Sequence, residues 1–383
     1  MLKIDAKAIE ALQKIGPPAI PSALKALTHD RWQVRAGAAH ALGLYGPEAT
    51  RAVPALAAAV TDSHGSVRRL AADALAQIGA EAKTAIPVLQ QGLTHQNVRI
   101  RISVAYALAR TDPGSDPAYQ ALVEALQYVD RPFWNAIGGW QEKYARADEV
   151  QKNGRRYLND ERAVRALAAQ TLGELGPAAS RTLPALIMSL GSGNSEAAAF
   201  AIGRLGPAGA PAVPALIEQL LILQTPRGWN EYAFSRICWA LGQIGYDATH
   251  LNPILQVLKT TGEQRYFAIA DAFTGAPVDA VPELIGLLAA DDPMVASRAA
   301  YALGKMGARA KSAVPALVDA LRQNRTYVQT AAAVGLRGVG VADRRVISAL
   351  RDRLGDDDQA VRSAAANALW VLDPRQRPDR PSR

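Results

Sequence analysis

The sequence predicts an all-α fold: a right-handed α-solenoid of about ten helix pairs, with a leading helix and two loop insertions. Three observations lead there. A proline before an apolar run recurs at Pro21, Pro54, Pro87, Pro184, Pro214, Pro253, Pro282 and Pro315, with first steps of 33 residues. Gly-Pro dipeptides stand between units, where glycine suits a left-handed helix end and proline cannot continue the helix. Each unit then closes on a pattern of the form VRxxAAxALGxxG. Its large apolar residues at relative positions 0, 8 and 11, with alanine at 4, share one helix face.

The elements follow in chain order. A leading helix covers about residues 5–15. In each later unit the proline opens helix A, where its missing N–H costs nothing. A short polar turn such as TDSHGS follows, and then helix B. The gaps from Pro87 to Pro184 and from Pro214 to Pro253 exceed one unit, and each holds an insertion, about 128–161 and 224–232. The whole reads as a single solenoid over 1–372, since a repeat array grows without splitting into domains. Residues 373–383 form a Pro/Arg tail with the composition of a disordered segment.

Composition narrows the function classes. The 383 residues carry a net charge of +8, which suits an acidic partner such as nucleic acid, an anionic surface or an acidic protein. The one cysteine, Cys238, excludes an intrachain disulfide and reads as a buried small residue in RICWALG. The N-terminus lacks the apolar run of a signal peptide, which points to the cytoplasm. It enters the repeat at once, as a piece of a longer array would. No stretch reaches the ~20 apolar residues of a membrane span.

The units IGPPAIPSALKAL, YGPEATRAVPALAAAV and LGPAASRTLPALIMSL, each followed by its helix B, resemble the HEAT-repeat superfamily, in the short bacterial form also seen in phycobilisome lyase subunits. The resemblance covers roughly 5–372. It implies a scaffold that holds proteins, peptides or nucleic acids, with helices B lining a concave face.

Arginine follows the first apolar residue of helix B at Arg35, Arg68, Arg165 and Arg362, and aspartates precede it at Asp30, Asp62, Asp160 and Asp358. In the resembled family this is a structural ladder from turn to helix. His29, His64 and His95 recur in the first A–B turns. Packed helices lie ~8–10 Å apart, whereas metal–nitrogen bonds are ~2 Å, so successive repeats do not bring these rings to one ion. No metal or cofactor is expected. Deoxyhypusine hydroxylase, a HEAT-fold enzyme, carries repeated His-Glu pairs as iron ligands, and no His-Glu dipeptide occurs here. The phosphate loop, the GxSxG elbow and HExxH are absent too.

Helix B positions 3, 6 and 10 turn away from the apolar stripe. In the middle of the array they carry Tyr106, Phe200, Trp239 and Tyr301 among Arg110, Arg204, Arg236, Arg298 and Lys305. Aromatic rings beside arginines suit a binding groove, because rings give area at low entropy cost and arginine gives directed hydrogen bonds. The other reading is that the rings pack on adjacent helices. The first insertion holds Phe133, Trp134, Trp140, Tyr144, Arg155, Arg156 and Tyr157. Long ordered loops are more often functional, and WQEKYARADEVQKN reads as a short extra helix ended by Gly154. The second insertion holds Arg227 and Trp229. Both sit in A–B turns, on one edge of a solenoid, where they form a lip over the groove or else cover exposed core.

These features lead to a non-enzymatic scaffold for a protein or extended, acidic peptide. Nucleic-acid binding on a concave face like that of HEAT-like DNA glycosylases is the alternative. A lyase-like chaperone or enzyme acting on a chromophore-bearing protein comes third, resting on fold resemblance alone.

Overall fold

A computed structural model describes residues 14–128, 147–191, 193–224, 230–260 and 266–373. Among the described residues twenty α-helices alternate as A and B, as the repeat predicts. Unit 1, Met1–Ser189, and unit 2, Leu190–Arg383, are the two compact units.

In unit 1 the pairs are α1 Ile20–Ala26 with α2 Trp32–Leu44, α3 Val53–Ala59 with α4 Gly65–Ile78, and α5 Ile86–Gly92 with α6 Val98–Thr111. α7 Asp116–Leu126 and the long α8 Ala147–Leu175 follow. α9 Leu183–Leu190 ends at the unit boundary. Unit 2 holds α10 Ser195–Arg204, α11 Val213–Ile222, α12 Glu231–Ile244, α13 Leu251–Thr260 and α14 Tyr266–Asp271. It continues with α15 Ala280–Leu287, α16 Pro293–Met306, α17 Val314–Leu321, α18 Thr326–Val339, α19 Arg344–Asp352 and α20 Gln359–Leu372. Among the described residues no helix is long and apolar enough to cross a membrane.

The local signals act as their chemistry demands. Pro21, Pro54, Pro87, Pro214 and Pro315 lie in the first turn of an A helix. The junction glycines Gly46 and Gly206 take φ of 56° and 59°, a region open to glycine at no steric cost. Each opens seven residues of 3₁₀ turn, which the sequence pattern did not announce. The 46–52 segment breaks at Ala49, in keeping with the short runs that 3₁₀ geometry favours.

The most extensive contacts in each unit join consecutive B helices: α2 with α4 in unit 1, and α10 with α12 and α16 with α18 in unit 2. Glycine at position 9 of helix B makes this possible. A Cβ added to Gly43 would lie 3.0 Å from the Ala74 Cα. One added to Gly203 would lie 2.9 Å from the Ala240 Cα, and one on Gly304 would lie 2.9 Å from the Gly335 Cα. The apolar stripe predicted from positions 0, 8 and 11 is buried, with Leu42 and Leu75 in unit 1 and Leu241, Leu303 and Leu336 in unit 2.

The arginine ladder is structural, as expected, and its contacts run mainly to backbone carbonyls. Arg35 Nη1 donates to the His29 and Asp30 carbonyls at 2.8 and 2.9 Å. Arg68 reaches the Asp62 and Ser63 carbonyls, Arg101 those of His95 and Gln96, and Arg362 those of Asp356 and Asp357. Each guanidinium thus ties off the end of its own helix A and turn. The Asp62 side chain pairs instead with Arg35 of the preceding repeat, Oδ2 accepting from Nε at 2.7 Å and Oδ1 from Nη2 at 2.9 Å. Asp358 accepts from the Ala360 amide as a helix cap. Arg165 pairs with Glu161 along α8, because no short turn precedes it. The histidines cap turns as well: Nδ1 of His29, His64 and His95 accepts from the amides of Arg31, Ser66 and Asn97.

One local expectation fails. Gly154 does not end a short helix, since α8 runs unbroken from Ala147 through it to Leu175. A single interior glycine costs only ~1 kcal/mol against alanine, too little to stop a helix that is packed further on. The leading helix, apart from its last residues, and the basic tail lie outside the described residues.

Two outcomes follow from this packing. Gly242→Ala would put its Cβ 2.1 Å from the Asp271 carbonyl oxygen, a backbone atom, whereas Gly286→Ala meets nothing within 4 Å. Urea melts are expected to show the first destabilised by ~1–3 kcal/mol and the second stabilised by up to ~1 kcal/mol through helix propensity.

The clasp predicts a pH effect. Burial pushes the Asp62 carboxyl up, but the hydrogen bonds from Arg35 and the His64 amide outweigh it and leave it below its ordinary value. Its contribution is therefore present above the ordinary carboxylate range and lost as pH falls through the lower folded value. Asp62→Asn is expected to cost ~1–3 kcal/mol at neutral pH. That gap should begin to narrow as melts are carried below about pH 4 and close once pH falls below the lowered folded value, and a gap independent of pH would contradict the clasp.

Candidate functional site

In unit 1 the outward positions of α4 and α6 form a linked array. Tyr106 is only 6% exposed, and its hydroxyl donates to Asp73 Oδ1 at 2.8 Å. Arg110 Nη1 donates to the same hydroxyl at 3.2 Å, and its guanidinium carbon lies 5.7 Å from the Tyr106 ring centre. Arg69 approaches Asp73 at 3.8 Å on the other side. Burial, and then the Asp73 carboxylate, push the Tyr106 phenol far above its ordinary value. The ring is therefore a neutral, packed post that orients Arg110, and Arg110 is exposed, as is Arg69.

In unit 2 the aromatics remain half-exposed. Phe200 on α10 stacks on Trp239 of α12, with ring centres 5.6 Å apart and planes 18° apart. The Arg236 guanidinium sits 5.3 Å from the Phe200 ring centre. Trp239 crosses Gly203, where an added Cβ would meet its ring at 2.5 Å. The stack therefore depends on the same close helix approach that organises the repeat. Arg236 and Arg204 are exposed beside it.

Next to this platform lies a cleft of about 550 Å³ on the B helices α12, α14, α16 and α18. Ala268, Ala270 and Val334 give it apolar surface, and Tyr301 contributes a half-buried ring. Ser235 and Asp271 add polar groups, and Lys305 and Arg337 add cations. Lys305 Nζ lies 2.6 Å from Asp271 Oδ1, with the two side chains 49% and 34% exposed. Solvent access at that level makes the pair a weak contributor to stability.

The structure thus brings Phe200, Arg236 and Trp239 into one cluster and Tyr301 and Lys305 into another, both within unit 2. Tyr106 and Arg110 meet in unit 1. Phe133, Trp134, Trp140, Tyr144, Arg227 and Trp229 lie outside the described residues, as do the side chains of Arg155, Arg156 and Tyr157. Arg298, expected on the open face, is 2% exposed and donates to the Leu258 carbonyl at 2.9 Å. Its long side chain reaches back to the end of helix α13 and is drawn inside. Cys238 is buried, and burial pushes its thiol well up, as its apolar neighbours led one to expect. Arg337 was missed. Its signal is that it stands at position 9, where Gly43, Gly173, Gly203, Gly242 and Gly304 stand in other repeats.

Repeated helix pairs, with chemistry spread over consecutive B helices, define an α-solenoid of the kind that offers extended binding surfaces. The chain belongs to the HEAT-repeat family, whose model matches residues 3–75, 53–133 and 263–337, more than half of it. Among curated proteins no sequence matches. Similar solved structures include an engineered protein, 21% identical over 96% of this chain and 91% of that one, with a TM-score of 0.34. The karyopherin Kap121p is 16% identical over 95% of this chain, with a TM-score of 0.45, and in its complex with the SUMO protease Ulp1p the TM-score is 0.47. The chain spans about two fifths of the length of Kap121p.

Removing the Tyr106 hydroxyl tests the unit 1 array. Tyr106→Phe leaves Asp73 with Arg69 alone and should cost ~1–2 kcal/mol in thermal or urea unfolding. A neutral effect would mean that water replaces the phenol at Asp73.

Proposed function

We propose that the chain is a non-enzymatic scaffold that grips an extended, acidic segment of another protein along the helix B face of unit 2. The observation that carries this reading is the half-exposed Phe200–Trp239 stack with Arg236 upon it, next to a cleft that presents Tyr301, Lys305 and Arg337. Rings held rigid by packing supply contact area without ordering cost, and the guanidinium groups supply directed hydrogen bonds to carboxylates. An extended segment suits consecutive parallel helices, because each helix offers one or two contacts at a regular spacing.

Nucleic acid is the second reading, since a stacked ring beside arginine also suits a base and its phosphate. Asp271 in unit 2 and Asp73 in unit 1 weigh against it, because they place negative charge among the cations that would meet phosphates. Neutralised cations give little counterion release, which supplies most of the sequence-independent affinity for nucleic acid.

Fluorescence anisotropy with a labelled acidic, aromatic-containing peptide and a labelled single-stranded DNA tests both readings. The expected result is peptide binding that the Arg236→Gln, Trp239→Leu double variant weakens by on the order of 2 kcal/mol, about 30-fold in Kd. Peptide affinity unchanged in that variant would remove the platform from the site. DNA binding that is tight at low salt and collapses as salt rises would replace the protein reading with the nucleic-acid one.

A further inference from the structure

The cleft on α12, α14, α16 and α18 has an unbalanced charge. Asp271 is already engaged by Lys305 at 2.6 Å. Arg337 brings a second cation to the same cleft, is exposed, and has no hydrogen-bond or ion-pair partner among the described residues. One carboxylate against two cations leaves the cleft with a net charge of one positive unit.

The position of the two cations is set by packing. A Cβ on Gly304 would lie 2.9 Å from the Gly335 Cα, and one on Gly338 would lie 2.4 Å from the Gly304 carbonyl oxygen, so α16 and α18 approach closely around Gly304. Lys305 follows Gly304, and Arg337 lies two residues beyond Gly335. They therefore stand on either side of one contact point. Beside them the cleft presents Val334 and the Tyr301 ring. Its volume of about 550 Å³ suits a small group of side chains.

We infer that this cleft binds a glutamate or aspartate side chain of an extended peptide, with the carboxylate held by Arg337 beside Lys305 and a neighbouring apolar residue laid on Val334 and Tyr301. The inference rests on the scaffold reading above and names what one part of that surface recognises. A carboxylate brings the cleft to neutrality. A phosphate dianion would overshoot and would face Asp271. The guanidinium fork matches a carboxylate with two parallel hydrogen bonds. The carboxylate belongs to a side chain, not to a chain end, because the surface continues past the cleft. Ser235 lines the cleft, and the next residue, Arg236, sits over Phe200 on the platform.

The test uses the full chain labelled with ¹⁵N-arginine. The Arg337 Nε signal is assigned by its loss in Arg337→Gln. The chain is titrated with N-acetyl-Glu-Leu-amide and with the matching glutamine dipeptide. A saturable shift of that signal with the glutamate dipeptide, absent with the glutamine one, is expected. No saturable shift, or equal shifts with both, overturns the inference whether or not longer peptides bind. A longer acidic peptide separates this failure from that of the scaffold reading. It should bind Arg337→Gln about tenfold more weakly than the wild type, with Arg337→Lys recovering part of the loss. If it binds both equally and still loses affinity in the Arg236→Gln, Trp239→Leu variant, the scaffold stands and the cleft is not its carboxylate site.

Discussion

The close approach of consecutive B helices is the constraint on which the rest depends. Gly43 meets Ala74, Gly203 meets Ala240, and Gly304 meets Gly335, in each case position 9 of one helix against position 7 of the next. Dispersion falls off so steeply that helices held apart by one methyl group forfeit much of their contact. Ordinary helix pairs pack 8–10 Å apart, depending on the side chains at the contact, and small residues bring them to the near end of that range. The alanine-rich pattern of helix B serves this geometry, and the larger residues at positions 0, 8 and 11 fill the space towards helix A.

That constraint decides which side chains are left to act. With positions 7 and 9 committed to backbone contact, positions 6 and 10 stand at the border of the contact. Whether they pack or project then depends on the neighbour. Tyr106 has Asp73 on the preceding B helix to receive its hydroxyl, and it goes under. Trp239 crosses Gly203, stacks on Phe200 and stays half-exposed. The same relative position thus yields a packed post in one unit and a half-exposed ring in the other.

The solenoid was legible because its signals are local: glycine at a positive φ, proline in a first turn, and an apolar stripe with a helical period. Phe200 and Trp239 both occupy position 6 of successive B helices, but the sequence left open whether such rings pack on adjacent helices, and it did not pair them. Three further things were not legible. The ladder arginines seek backbone carbonyls, which every residue carries and no sequence pattern marks, so their partners were not named by the sequence. Arg298 looked outward by helical phase, but a flexible side chain ends where a carbonyl is, and Leu258 offers one. The helix over Ala147–Leu175 passes through Gly154 because packing of its later turns outweighs a local penalty.

Arg337 shows how a departure from a repeat acquires meaning. Helix α18 reads VGLRGVG, with glycines at 335 and 338. Both face back to α16: a Cβ on Gly338 would lie 2.4 Å from the Gly304 carbonyl oxygen. Position 9 elsewhere meets the following B helix, whereas these two glycines meet the preceding one; at position 9 itself Arg337 is exposed, so that position is released from close backbone contact. A released position in a tightly packed array accepts any residue that solvent tolerates, so packing alone does not select arginine. The selection comes from what surrounds it. On the adjoining B helices Asp271 and Lys305 already compensate one another, and an added cation meets no internal charge among the described residues. A cation placed where the fold neither needs nor neutralises it costs little in the free chain, because it stays hydrated, and it gives an incoming anion a partner that it does not have to win from the protein.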